Sequence, residues 1–240
     1  MKKIYKRNWL FELKSLAVMG TLLFAGTAAA QLSGTYSVNS AGGADYTSLT
    51  AVVDALNSNG VSGAVTINVV ASSGPYAGAL EFDDVTGTAT NTIVFNGNGT
   101  TVSTNGSSTI EISECEYLTI NDFVISNTGN GSQTRCVQIR DESDYVNITN
   151  CKLNMPNMTS TSTSNMYLYI GNGTGSPYSY SSAGSNCLIQ NNETNGPVNA
   201  GPYWGMFTAD ERSNSDTDPN KFDNNDIKNW LRYGFRSYYA

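Results

Sequence analysis

The sequence predicts an all-β solenoid, in which short parallel strands coil into a right-handed β-helix closed at its N-terminal end by one α-helix. Three observations carry that prediction. A passage between Thr109 and Leu153 is written twice, each copy alternates apolar and polar residues as half-buried strands do, and one amphipathic helical pattern stands just before the strands.

The first copy reads Ile110-Glu111-Ile112, then Tyr117-Leu118-Thr119-Ile120-Asn121-Asp122-Phe123-Val124-Ile125. The second reads Val137-Gln138-Ile139, then Tyr145-Val146-Asn147-Ile148-Thr149-Asn150-Cys151-Lys152-Leu153, so that Ile120 and Ile148 are 28 residues apart. A unit of two short strands cannot bury its own apolar face. Copies must therefore stack and share one core, and parallel crossovers in one sheet are right-handed.

Ahead of the repeat, Thr35 to Val38 reads as a strand. Leu49, Val52, Val53 and Leu56 then form one helical stripe, with Thr47 or Ser48 as N-cap and Asn59-Gly60 as the stop. A lone helix at this place caps the first coil, which would otherwise present its core to water. Val65 to Val70, Leu80-Glu81-Phe82 and Ile93-Val94-Phe95 follow as strands. Beyond the repeat, Met166 to Ile170 with Cys187 to Asn192, and Gly205-Met206-Phe207 with Phe222 to Asp226, read as later coils. Equating Ile120, Ile148, Ile189 and Phe222 leaves Ser160 to Ser164, Gly171 to Gly184 and Asp210 to Asn220 as loop insertions. Asp122, Asn150, Asn191 and Asn224 recur after the anchor residue and read as a hydrogen-bonding ladder along the stack. Leu231 to Ala240 reads as the start of another strand, which predicts a solenoid continuing in a longer protein.

Charged residues are only 14% of the chain against roughly 25% in ordinary soluble domains, and the net charge is −7. Scattered cations on an acidic chain exclude a nucleic-acid partner, which needs a clustered basic face. Lys2, Lys3, Lys6, Arg7 and Lys14 precede the apolar run Leu16 to Ala25 and then Ala28-Ala29-Ala30. This predicts a signal peptide over 1–30, cleaved near Ala30-Gln31, and a secreted or cell-surface domain over 31–240 with no membrane span. A monomer is expected. Cys115, Cys136, Cys151 and Cys187 read first as buried free thiols, disulfides being the alternative.

The segment Gly43-Ala44-Asp45-Tyr46-Thr47-Ser48-Leu49-Thr50-Ala51-Val52-Val53-Asp54-Ala55-Leu56, followed by Asn59-Gly60-Val61-Ser62-Gly63 and the coil repeat, resembles the N-terminal part of secreted bacterial repeat proteins of the pectin-lyase-like superfamily. The resemblance covers roughly residues 34 to 155 well. It implies a right-handed parallel β-helix and, among the enzymes of that fold, action on polysaccharides. The catalytic segments of the pectin methylesterases have no counterpart here; Asp122-Phe123-Val124-Ile125 matches one of them only in its apolar positions and lacks the glycine. The chain has no histidine, which removes the polygalacturonase pattern and every Ser-His-Asp or Cys-His arrangement.

A lyase or hydrolase built from carboxylates and a basic residue stays open. Its candidate residues are Asp210, Arg212, Asp223, Asp226 and Lys228, which read first as a solvated polar loop and its following strand. Asn214, Asp216 and Asp218 have the alternate-oxygen spacing of a calcium loop, but Pro219 stands where the turn glycine is usual and no Glu closes it. Calcium is thus the one ion the sequence suggests; otherwise no cofactor is expected. The first functional reading is an adhesin-like or glycan-binding surface protein, with a polysaccharide or surface glycan as partner. A polysaccharide lyase or hydrolase and a purely structural stalk are the alternatives. For glycan contact, alignment of Ile112, Ile139 and Ile170 as inward residues puts Glu111, Gln138 and Tyr169 on the outer face, with Tyr167 flanking as an exposed ring.

Overall fold

The computed structural model describes residues 30–172, 184–210 and 219–239. Its strands form a right-handed parallel β-helix of about six turns. The first sheet follows the order β1 (Leu32–Val38), β2 (Val61–Val69), β5 (Ile93–Thr104), β7 (Leu118–Asn127), β9 (Asn147–Thr149), β12 (Leu188–Gln190), β15 (Lys221–Asp223). Off that path β3 (Tyr76–Ala77) pairs with β5, while β10 (Lys152–Asn154) joins β7 to β13 (Glu193–Asn195). The second sheet runs β4 (Leu80–Asp83), β6 (Ser108–Ser113), β8 (Arg135–Arg140), β11 (Met166–Ile170), β14 (Trp204–Asp210), β16 (Tyr233–Tyr239).

Register turns the repeat into columns of like residues. Ile67, Phe95, Ile120, Ile148, Ile189 and Phe222 stand one above another, so the equivalence drawn from the spacing holds. In the second sheet Leu80, Ile110, Val137, Leu168, Met206 and Phe235 make the facing column. All of these except Phe222 and Phe235 are buried. This is one continuous core in which each coil covers its neighbours.

The helix α1 (Leu49–Asn59) is capped as expected: Ser48 Oγ accepts from Ala51 N at 3.1 Å, and Gly60, at φ 64°, donates its N–H to Leu56 O. Its stripe Leu49, Val52, Val53 and Leu56 is buried in the main core. Among the described residues no helix is long and apolar enough to cross a membrane.

Sharp corners depend on left-handed backbone. Asp122, Asn150, Asn191 and Asn224 all have φ between 49° and 56°, a region that short side chains with a local hydrogen bond tolerate best. The expected ladder is present in part: Asn224 Nδ2 donates to Asn191 Oδ1 at 2.7 Å, whereas Asn150 Nδ2 reaches Asn121 Oδ1 instead of the Asp122 position. A second, inward set does more. Asn192 Oδ1 accepts from Cys151 N at 2.8 Å and Asn192 Nδ2 donates to Ile148 O, while Asn225 repeats the pattern one coil on. These amides satisfy backbone groups that the corner would leave buried and unpaired.

Candidate functional site

Two further corners, on the side where the second sheet hands over to the first, are left-handed at Asp and Asn positions and also at Glu and Tyr positions, which do not favour it. One carries Asp84, Glu114, Asp141 and Glu142, at φ 53° to 58°. The other carries Tyr117 and Tyr145 at 55° and 53°, with Asn186 next in line. A bulky aromatic residue in this region is a strained choice, about 1–2 kcal/mol each.

The corners are held in register by backbone pairing. Thr86, Glu116, Asp144 and Ser185 form successive parallel bridges, and Tyr117 N donates to Asp144 O at 3.1 Å. That register lays the Tyr117 ring on the Tyr145 ring, centroids 4.5 Å apart and planes within 10° of parallel. Tyr145 is 39% exposed. The position before Tyr117 in the stack is Gly87, whose N–H donates to Glu116 O and which adds no side chain to the column.

Beside this pair lies an open groove of about 480 Å³ lined by Asp84, Thr86, Glu114, Glu116, Asp141 and Glu142. Asp141 is engaged, accepting from Ser113 Oγ at 2.9 Å and pairing with Arg140, which also holds Glu111 at 2.7 Å. Asp144, just outside, accepts from Ser185 Oγ, Asn186 Nδ2 and Tyr145 N. Among the described residues the carboxylates of Asp84, Glu114 and Glu116 are neither hydrogen-bonded nor ion-paired. The groove therefore offers acceptors and negative charge, and among the described residues no cation lines it. No cluster of described residues has the arrangement of a metal site.

The row expected to face solvent lies elsewhere. Glu111, Gln138 and Tyr169 are in register on the outer face, as the alternation requires. Exposure is what fails: Tyr167 and Tyr169 are both fully buried and Gln138 nearly so. Tyr169 packs with Met166, Trp204, Phe207 and Ala209 in a second apolar cluster, and the Arg135 guanidinium lies 4.8 Å from its ring centre. Arg135 Nη1 donates to Gln138 Oε1, and burial pulls the Arg135 pKa down. Tyr167 turns inward, where its hydroxyl donates to Asn229 O at 3.0 Å and burial raises its pKa. Neither ring is a surface platform.

The catalytic candidates do not converge. Asp223 accepts from Gln190 Nε2 at 2.7 Å and faces Lys221 at 4.0 Å. Asp226 pairs with Lys228, which also reaches Glu193 at 3.5 Å, and the bond to Asp226 holds the Lys228 pKa above its ordinary value. Asp210 ends β14 in the opposite sheet. Arg212 and the calcium-loop candidates Asn214, Asp216 and Asp218 lie outside the described residues.

All four cysteines are buried, and none of them is in a disulfide. Cys115 and Cys187 lie at different positions near the corner where the second sheet hands over to the first, and Cys151 lies at the corner between β9 and β10. Each thiol is against the carbonyl two residues earlier, of Ser113, Ser185 and Thr149 respectively. Burial pushes Cys115, Cys136 and Cys151 up to about 12, so none is a nucleophile at neutral pH.

The tyrosine pair was within reach of the sequence, since Glu116-Tyr117 and Asp144-Tyr145 are acid–tyrosine dipeptides one repeat apart. No family model matches the sequence, and no curated protein matches it. Among solved structures the chain is similar to a pectin methylesterase from Aspergillus niger in deglycosylated form, at 15% identity and TM-score 0.44, over 88% of this chain and 87% of that one. It is similar also to a pectin methylesterase from carrot, at 12% identity and TM-score 0.40, over 88% and 90%. Likeness at this level carries no functional argument.

Proposed function

We propose that this chain is a carbohydrate-binding β-helix whose contact surface is the column Thr86-Gly87, Glu116-Tyr117, Asp144-Tyr145 with the groove beside it. The observation that carries the reading is the tyrosine stack: two rings parallel at 4.5 Å, one of them 39% exposed, built on strained backbone next to the carboxylates of Asp84, Glu114 and Glu116, which no described residue engages. A sugar ring offers apolar C–H faces and hydroxyl donors; an aromatic face receives the first and ionised carboxylates accept from the second. Strain kept at a surface corner points to a use beyond folding.

The charge narrows the ligand. Unpaired carboxylates of one sign repel a uronate or sulfated chain and favour neutral or amino-bearing sugars. Binding without turnover is the proposed chemistry; a groove lined by carboxylates can also divide acid and base roles as glycoside hydrolases do, so the test also reads released product. With the signal segment expected over 1–30, such binding would act outside the cytoplasm.

The test is a screen of the purified mature chain against neutral, amino-bearing and acidic polysaccharides, read for retention and for released product. Retention by neutral or amino-bearing polymers, lost in Tyr145→Ala and weakened in Glu116→Gln, is expected. Retention confined to acidic polymers, or indifferent to both substitutions, would refute the assignment.

A further inference from the structure

The outer face of the first sheet carries two straight rows of short uncharged side chains. Register places Thr66, Val94, Thr119 and Asn147 in one row, and Asn68, Asn96, Asn121 and Thr149 in the next. Within a strand the rows are two residues apart, about 6.6 Å, and successive rungs follow at about 4.8 Å. All eight residues are half-buried, and none is a carboxylate or a cation. The rungs belong to β2, β5, β7 and β9, each of which has a paired strand on both sides. Hydrogen bonds from rung to rung fix the side chains. Asn96 Nδ2 donates to Asn68 Oδ1 at 3.0 Å, Asn121 Nδ2 to Asn96 Oδ1 at 3.1 Å, and Thr149 Oγ1 to Asn121 Oδ1 at 3.0 Å. In the other row Asn147 Nδ2 donates to Thr119 Oγ1 at 3.1 Å. A side-chain amide has two N–H bonds and two carbonyl lone pairs, so Asn96, which uses one of each along its row, keeps one of each for a partner outside the chain.

We propose that this face seats the flat surface of an insoluble neutral polysaccharide whose extended β-linked chains pack side by side, as in cellulose or chitin. The inference rests on the carbohydrate-binding reading above and gives it a substrate class. The face continues the tyrosine column, since Tyr117 stands two residues before Thr119 and Tyr145 two before Asn147. Uncharged rows give a uronate or an ammonium nothing to pair with, so the partner is neutral. The order of the rows then decides between a dissolved chain and a solid. A neutral hydrogen bond exchanged with water yields little, no more than the ordering of one flexible linkage costs, so a dissolved glycan gains almost nothing by lying down on such a face. Chains held in a solid have already lost that freedom, and so have side chains tied rung to rung, which leaves the small gains to add up.

Co-sedimentation of the mature chain with microcrystalline cellulose and with chitin tests this, and retention on at least one of the two solids is expected. Soluble cellohexaose or chitohexaose, at the same sugar concentration as the solid, should fail to displace the chain. Val94 stands between Thr66 and Thr119, points outward and has no polar side-chain atom, so Val94→Lys and Val94→Glu raise a long side chain from the face without cutting the ladder. Both variants should keep the parent circular dichroism and melting profile, and both should weaken retention roughly tenfold whatever the sign of the charge. Retention unchanged in both variants, or full displacement by the hexamers, overturns the inference and leaves the tyrosine-column reading in place. No retention on either solid overturns it as well. Tyr145→Ala separates the two claims: retention that falls in the Val94 variants but not in Tyr145→Ala keeps the face and refutes the column.

Discussion

Replacing Asn192 with Leu separates the two kinds of corner amide. Asn192 is 1% exposed; its Oδ1 accepts from Cys151 N at 2.8 Å, and its Nδ2 donates to Ile148 O at 2.8 Å and to Asn225 Oδ1 at 3.0 Å. Leucine has the same branching and number of heavy atoms, is bulkier, and supplies neither function. The Cys151 N–H then loses its acceptor and Ile148 O a donor inside the core, and each such loss costs about 1–3 kcal/mol, so the variant should lose about 2–6 kcal/mol. Asn191, one residue earlier, is exposed and held by Asn224 Nδ2 at 2.7 Å. Asn191→Ala gives up that bond and sets Ala at φ 56°, together about 1–2 kcal/mol. Thermal unfolding followed by far-UV circular dichroism reads the difference. At about 2–4 °C per kcal/mol for a chain of this size, the middle of the two ranges, a difference of about 2.5 kcal/mol, puts Asn192→Leu about 5–10 °C below Asn191→Ala. Coils of a solenoid can melt separately, so the first transition is the one compared. Equal losses, or a larger one for Asn191→Ala, would refute the claim that inward amides hold the corners.

The remaining expectations follow from single contacts. With the Cys115, Cys136 and Cys151 thiols pushed up to about 12, the native chain should resist a thiol reagent at pH 8 and react fully only in denaturant. The same shift fixes a pH dependence. The unfolded thiols ionise near 9, so unfolding releases protons above that value and stability should fall from about pH 9 toward 12, read as a declining melting temperature. Gly97→Ala would set a Cβ 2.5 Å from both Asp122 O and Phe123 Cγ, and should cost about 1–3 kcal/mol in urea unfolding. Tyr145→Asn relieves left-handed strain of about 1–2 kcal/mol and gives up a ring stack of about 0.5–1.5 kcal/mol, so its melting temperature should stay close to the parent's. A large drop would make the tyrosine pair a structural device.

The columns were legible because burial on one face and stacking at fixed register leave a period-2 pattern and a 28-residue spacing; Ile120 and Ile148 needed nothing else, whereas Ile189, 41 residues on, also needed the intervening loop insertion to be recognised. The error over Tyr167 and Tyr169 has two physical sources. Alternation says which side chains point outward, not whether neighbours cover them, and Trp204 and Phe207 from the next coil join Tyr169 in an outer cluster. Alternation also fails within β11 itself. All five residues of β11 are buried, and Tyr167 and Leu168 both belong to the main core. The left-handed corners were invisible for a related reason: Asn and Gly announce such a conformation, whereas Glu114, Tyr117 and Tyr145 do not.

That last difference bears on where function can reside in a solenoid. Inward strand positions are committed to the core, and outward ones here are drawn into ladders such as Glu111–Arg140 or the cluster around Tyr169. The outward positions of the corners are freer, since the backbone pairing and the inward amides fix the corner without them. Where the backbone decides, the corner holds Asp122, Asn150, Asn191 and Asn224. Where Glu114, Tyr117 and Tyr145 stand at the same dihedral angles, backbone preference is overruled twice in one turn of the coil and again in the next. Residues that folding alone would replace with asparagine or glycine are thus gathered on one edge, beside Asp84, Glu114 and Glu116, whose carboxylates no described residue engages.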